Sequence, residues 1–367
     1  MSQTVQNPNS TVSDTAVAAA LATENGAAPE GAMYRGANTP LRFAGNPREM
    51  QGLLRGAGIF DLGYRTCVRV TGKDRVRWLN GMVTQGTRFM IPGQVAYTLV
   101  LNAQGRIQGD ADVYCHEDEL FLETDRLQAE RLLAHLRRFI IMDDVKLEQL
   151  DASTTTIGTG GPQAAEVLSR LGATAPEAGT FARLQMAGID VMVAHDYGPV
   201  VPRFEIHVPA DRVLALWNTL VDAGATPCGL EAIETLRVLE GVPLYVVDFS
   251  DKHLPQETNL QRALNFTKGC YIGQEIVERI RSRATVHRAL RQFELRGESP
   301  GLAPGEKLEL RAGGTAVGEL TSMASIRLPD LTKDLALGMA RVEALEQNEA
   351  LEYDGGTATP MTALPDV

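Results

Sequence analysis

Paired cysteines are missing from this sequence. Its 367 residues hold four, Cys67, Cys115, Cys228 and Cys270, with no CxxC spacing among them. That scatter excludes a disulfide framework and a cysteine-rich zinc site, and fits a reducing compartment. The six histidines show no HExxH or similar spacing. Cys115 and His116 adjoin on a segment that alternates like a strand, which points their side chains to opposite faces. No metal site is expected. A GxSxG hydrolase element, a Walker pattern and GxGxxG are absent as well. No apolar run approaches the roughly 18 residues a bilayer span needs. The N-terminal "AVAAALA" is short and no Lys or Arg precedes Arg35, which argues against a secretory signal or transit peptide. A soluble, cytoplasmic protein without a membrane partner is expected. Basic charge is also in deficit, 35 Lys and Arg against 46 Asp and Glu, so sequence-independent nucleic-acid binding is disfavoured.

Hydrophobic residues make up 44% of the chain, and its length implies two or three packed units. Residues 1–47, rich in Ser, Thr, Asn, Ala and Gly and without periodicity, read as a disordered tail. Residues 48–151 read as an α+β unit. "TCVRV" alternates like a strand, "KDRVRWLNGMV" is helical, and "VAYTLVLN", "RIQGDADVYC" and "ELFLETD" are strands. "RLQAERLLAHLRRFIIM" repeats leucines at helical spacing before the strand "DVKLEQL". Residues 152–287 follow a related grammar, with strands "TTTIG", "DVMVAH" and "RFEIHV" and helices "QAAEVLSRLGA", "DRVLALWNTLVDAG" and "LEAIETLRVLEG". Each half places its helices on one face of an antiparallel sheet. Residues 288–367 turn to short, Gly-punctuated strands, a small all-β unit.

Two stretches are chemically suggestive. "GTGGP", Gly158 to Pro162, lies between a strand and a helix, where backbone amides can cradle a phosphate. Turn glycines and a proline at the first helical position account for it equally. "KGCYIGQEIVERIRSR", Lys268 to Arg283, puts Cys270 ahead of a helix that carries Ile272, Ile276, Val277 and Ile280 on one face and Glu275 with Arg279 on another. A helix N-terminus and Lys268 both favour thiolate, so Cys270 reads either as a working thiol or as a small residue in a tight turn. From Lys252 to Arg291, eight Lys and Arg stand against three Asp and Glu, a solvated basic face or a site for a small polyanion.

"KGCYIGQEIVER" resembles the signature of the YgfZ family of folate-binding proteins, relatives of the glycine-cleavage T-protein, an aminomethyltransferase. "GIFDLGYRTCVRVTGKDRVRWLNGMVTQ", "YTLVLNAQGRIQGD", "LRRFIIMDDVKL", "FEIHVPAD", "CGLEAIETLRVLEGVP" and "LPQETNLQ" are similar to family segments in the family's order. The resemblance implies a T-protein-like, three-lobed α+β fold, two interlocked halves around a central channel plus a C-terminal β-barrel, with tetrahydrofolate or a one-carbon derivative in the channel. Glu205 matches the family's pterin-binding glutamate. A carboxylate suits a pterin because it accepts adjacent N–H donors side by side. Glu257 and Tyr97 are further binding candidates, and basic residues suit the glutamate tail. Cys270 is the chemical residue in this reading and Lys268 tunes it, with Gly269, Tyr271, Gly273, Gln274, Glu275 and Arg279 supporting the loop.

The sequence departs from the T-protein pattern. T-proteins carry paired aspartates, as in GGIxDD, whereas "GRIQGD" puts Gly109 at the first of them, and Asp110 is expected to face away. Ile233 stands where T-proteins commonly have an arginine for the folate tail. The implied function is a folate-dependent accessory protein supporting assembly or repair of iron-sulfur clusters, and through them tRNA-modifying enzymes, with iron-sulfur proteins or their assembly machinery as partners. The alternative is aminomethyl transfer.

Overall fold

The computed structural model describes residues 13–25, 29–150, 153–283, 286–299, 301–303 and 305–367. The first half builds a five-stranded antiparallel sheet in the order Val95–Leu101, Ile107–Cys115, Leu120–Asp125, Arg65–Thr71, Lys146–Gln149. Helices Arg75–Met82 and Arg126–Arg137 pack on it through Trp78, Leu79, Leu132, Leu133 and Leu136, which meet Val68, Val100, Ala111 and Leu122. Asp125 starts the second helix by accepting a hydrogen bond from the Gln128 amide at 3.2 Å. The periodicity predicted a longer helix. Instead it tightens into i→i−3 bonds at Arg138, Phe139 and Ile140, and the Trp78 indole takes the Phe139 carbonyl. Ile141 and Met142 are left exposed.

The second sheet has six strands, in the order Phe181–Met186, Ile189–Asp196, Arg203–Pro209, Thr154–Gly160, Gly58–Asp61, Thr226–Cys228. Leu168, Leu216, Trp217 and Leu220 from its helices cover Ile157, Ile206 and Val208. Gly58–Asp61 precedes the expected boundary at residue 152 yet pairs antiparallel with Thr154–Gly160, so the halves interlock through a shared strand. The "GTGGP" glycines serve this packing. Gly161 has φ +120°, and a Cβ there would lie 2.4 Å from the Gly56 carbonyl. The seven-residue helix Ala164–Arg170 that follows is too short to hold an anion at its N-terminus.

The C-terminal strands close into a six-stranded barrel, Arg288–Gly297, Thr332–Arg341, Thr315–Arg327, Leu308–Ala312, Leu351–Tyr353 and Gly356–Pro360. Helix Leu230–Leu239 is wedged between the second sheet and the barrel, where Ile233, Leu236 and Leu239 meet Ile326, Leu335 and Leu337. No helix among the described residues is long and apolar enough to cross a membrane.

The segment expected to be a disordered tail is structured where it is described; residues 1–12 and 26–28 lie outside the described residues. Helix Ala16–Asn25 buries Val17 and Leu21 in the core of the second half, beneath Trp217. The hairpin Gly31–Tyr34 and Ala37–Pro40 follows, and buried Arg35 pairs with Asp125 of the first half. Small alanines let this helix lie close, a form of packing that amphipathic periodicity does not announce. Leu21→Ala is expected to lower unfolding stability by about 2–4 kcal/mol in a denaturant titration, the range for a buried leucine; a change under about 0.5 kcal/mol would show the strap to be dispensable.

Candidate functional site

The cavity between the two sheets follows from strand alternation. In Ile107–Cys115 the residues Ile107, Gly109, Ala111 and Val113 are buried toward the helices, while Asp110 and Asp112 line the cavity. A Cβ at Gly109 would meet Gln128 and Leu132 of the covering helix. The expectation that the cavity lacks a carboxylate is therefore corrected: the channel face is the Asp110 face. Tyr97 donates its hydroxyl to Asp110 at 2.7 Å, and the Gln128 amide donates to the other oxygen at 2.6 Å. Both carboxylate oxygens are held in place.

Glu205 reaches the same chamber from strand Arg203–Pro209 of the second sheet and is 3% exposed. Tyr114 donates to it at 2.9 Å. Arg65, on the facing strand, lies 2.7 Å from Asp112 and 3.4 Å from both Glu123 and Glu205. One guanidinium thus serves three buried carboxylates. Burial pushes Glu205 well above the usual carboxylate range, Arg65 works against that, and Glu123 adds to it. Asp112 is pushed up to about 6 by burial, again opposed by Arg65. Burial works upward on Glu123 too, but Arg65 and His207 hold it below its ordinary value. The chamber is acceptor-rich and suited to a ligand that presents N–H donors.

Glu123, Glu205 and His207 bring three ligand-type atoms within 4.8 Å of one another. Arg65 already stands against both carboxylates of that group, where a metal ion would have to sit. Glu123 and Arg65 also partition the central cavity, about 130 Å³, from an outer cavity of about 990 Å³ between the sheets.

Tyr97 and Glu205 are brought together as the sequence reading expects; Glu257 is not. It sits in the turn Pro255–Glu257, accepts from the Leu254 amide at 2.7 Å, and pairs with Arg106 and Arg288 away from the chamber. Ile233 lines the chamber as an apolar wall. Arg262, unnoticed as an individual residue within the basic window, lies between the rings of Tyr97 and Tyr197, 3.9 and 4.4 Å from their centroids. Arg65, Asp112 and Glu123 were also missed, although the period-two pattern of "RIQGDADVYC" carried the signal for Asp110 and Asp112.

Cys270 is exposed and does not line the chamber. Lys268 is not its tuner: its ammonium donates to the carbonyls of Asn80, Val83 and Gln85 at 2.5, 2.5 and 2.8 Å, closing the end of helix Arg75–Met82. Burial pulls this amine down to about 7, and three carbonyl acceptors, which bind the protonated form, oppose that pull. Helix Gln274–Arg283 begins four residues after Cys270, too far for its first amides to act on the sulfur. Tyr271 is buried among Leu99, Leu101 and Ile107. Gly273, at φ +81°, allows an approach in which a Cβ would lie 2.6 Å from the Asn102 carbonyl. Gly269, Glu275 and Arg279 are exposed and Gln274 is half-buried; the ion pair recorded on this helix joins Glu278 to Arg281.

Comparison with known proteins assigns this architecture. A model of the GCVT N-terminal domain matches residues 20–268, more than half of the chain. The chain belongs to that family. An aminomethyltransferase of Saccharopolyspora erythraea is 27% identical over 346 residues, covering 90% of this chain and 92% of the relative. One from Stenotrophomonas maltophilia is 29% identical over 343 residues, covering 89% of each. The solved aminomethyltransferase T of the glycine cleavage system from Bartonella henselae superposes with a TM-score of 0.83 at 21% identity, covering 94% of this chain and 96% of that one, a likeness of fold. The GCVT match ends at Lys268, two residues before Cys270.

Lys268→Met removes the donor to three carbonyls and is expected to cost about 1–3 kcal/mol of stability by denaturant titration. Cys270→Ser should stay within about 0.5 kcal/mol of the parent. Equal losses in the two variants would make the thiol structural.

Proposed function

We propose that the protein binds tetrahydrofolate in the central chamber and exchanges a one-carbon unit with it, as an aminomethyltransferase does. The observation that carries this reading is the buried Glu205 carboxylate at the chamber wall, opposite an Asp110 held by Tyr97 and Gln128. Glu205 accepts the paired N–H donors of a reduced pterin, for which its fixed partner Tyr114 pre-sets the orientation. In aminomethyl transfer the carbon leaves a lipoyl sulfur for two folate nitrogens, whose two protons depart on the thiol and on ammonia. Asp110 stands in the chamber as the acceptor that orients the reacting amine and relays its proton. The Arg65 network excludes water from the wall and keeps the acceptors in place.

Calorimetric titration with tetrahydrofolate tests the site. Wild type is expected to bind, and Glu205→Gln, which keeps the shape but loses the charge, to bind roughly 10- to 100-fold more weakly. Unchanged affinity removes Glu205 from the site, and no binding to wild type removes the folate reading. With an aminomethylated lipoyl carrier, Asp110→Asn should cut methylene-tetrahydrofolate formation by about 100-fold or more.

A second reading is favoured by the Cys270 loop. Lys268 and Tyr271 are buried on either side while the sulfur between them is exposed, an arrangement that presents a thiol outward on a stapled loop. In this reading the protein is a folate-dependent accessory factor of the YgfZ type, acting on iron-sulfur proteins through Cys270. Cells carrying Cys270→Ser then lose activity of cluster-dependent tRNA-thiolating enzymes, while folate binding persists. Full activity in those cells eliminates the thiol from the function.

A further inference from the structure

Arg262 is placed where a cation has no partner. It follows the turn residue Gln261, and its backbone is fixed by the Gln85 side chain, which donates to its carbonyl at 3.0 Å, and by Thr84, which donates to the next carbonyl at 2.6 Å. Its guanidinium is stacked between Tyr97, on the chamber side, and Tyr197, which is 47% exposed. The Arg262 Nε is buried without a hydrogen-bond partner, and no carboxylate pairs with it among the described residues. The other arginines of this wall are paired: Arg65 with Asp112, Arg203 with Glu240, Arg237 with Asp248. Stacking on two rings compensates part of the desolvation, and a carboxylate would compensate more.

The same side chain divides three cavities. It lines the central chamber of about 130 Å³, a cavity of about 320 Å³ toward the barrel, and one of about 260 Å³ beside strand Ile189–Asp196. The chamber alone falls short of the roughly 300–1,000 Å³ typical of small-molecule sites, and opening into either neighbour brings it into that range. Charge separates the neighbours. The 260 Å³ cavity carries Asp112 and Asp196. The 320 Å³ cavity carries Arg291 as well as Arg262, and its acid, Glu240, is paired with Arg203.

We propose that Arg262 is the tail-recognition residue of this ligand site. Its guanidinium leaves the slot between Tyr97 and Tyr197 when a ring compound enters the chamber, and it pairs with a carboxylate on an acidic tail that runs into the barrel-side cavity, with Arg291 as a second cation. Exchange is favourable because an aromatic ring replaces the guanidinium against tyrosine while the freed cation gains a charge-assisted partner. The inference rests on the folate reading of the chamber and adds to it a route and a specificity: a pterin with an anionic tail is held, and one without a tail is held less tightly.

Calorimetry with two probes separates the possibilities, tetrahydrofolate and the tail-less 6-methyltetrahydropterin. Arg262→Ala is expected to weaken tetrahydrofolate by about 10- to 100-fold and to leave 6-methyltetrahydropterin unchanged or tighter. Arg262→Lys should recover part of the tetrahydrofolate affinity, and Arg291→Ala should show a smaller loss confined to the tailed probe. Thermal melting checks that the variants fold; should Arg262→Ala fail, wild-type binding at rising salt gives the same contrast, with affinity falling for the tailed probe only. Equal losses for both probes, or no loss for either, overturn the role of Arg262. A wild type that binds neither probe overturns the folate reading, and this inference with it.

Discussion

One guanidinium governs the interior. Arg65 rises from a strand of the first sheet and faces Asp112 and Glu123 of its own sheet and Glu205 of the other. Three carboxylates turned inward from two sheets would repel one another and resist burial; a single cation among them makes the arrangement tolerable, at the cost of raised proton affinity in Glu205 and Asp112. The sheets therefore cannot close into a continuous apolar core along this seam. They leave a polar chamber, walled from the larger outer cavity by Arg65 and Glu123.

Other buried pairs fasten the surrounding elements to this seam. Arg35 of the N-terminal strap meets Asp125 at the start of a first-half helix. Arg203 of the second sheet meets Glu240 beyond the wedge helix. Arg237 on that helix meets Asp248, whose other oxygen accepts from Thr321 and Ser322 of the barrel. Strap, sheets and barrel are joined around the chamber by directional contacts, which specify relative placement more sharply than apolar packing does. Arg262 stands apart from this set because tyrosine rings, rather than a carboxylate, hold its charge.

The "KGCYIGQE" stretch has a structural content separable from any chemistry of its sulfur. Lys268 closes a helix end, Tyr271 fills a core, and Gly273 lets the following helix seat against the Asn102 turn. Most of the motif is thereby accounted for by packing, leaving Cys270 as the residue whose exposure has no packing explanation. The folate chamber and the thiol are distinct places on the molecule, linked by Tyr271, whose cluster also includes Leu99 and Leu101 of the strand that carries Tyr97.

The amino-acid sequence by itself determined the α+β halves, the closing barrel, and Glu205 and Tyr97 as chamber residues, because period-two and helical spacing are local consequences of backbone geometry. The same alternation separated Gly109 from Asp110 but could not say which face met the chamber, since that depends on where the covering helix lies. Residues 16–25 lacked a periodic signal because the helix buries small side chains against a core assembled from distant strands. The destination of the Lys268 amine, the sharing of Arg65 among three carboxylates, the removal of Glu257 from the site and the stacking of Arg262 were decided only by tertiary structure. Each depends on groups far apart in the chain meeting at a few ångströms, and the strength of an electrostatic contact is set by that separation and by burial, neither of which is a property of a residue's neighbours in sequence.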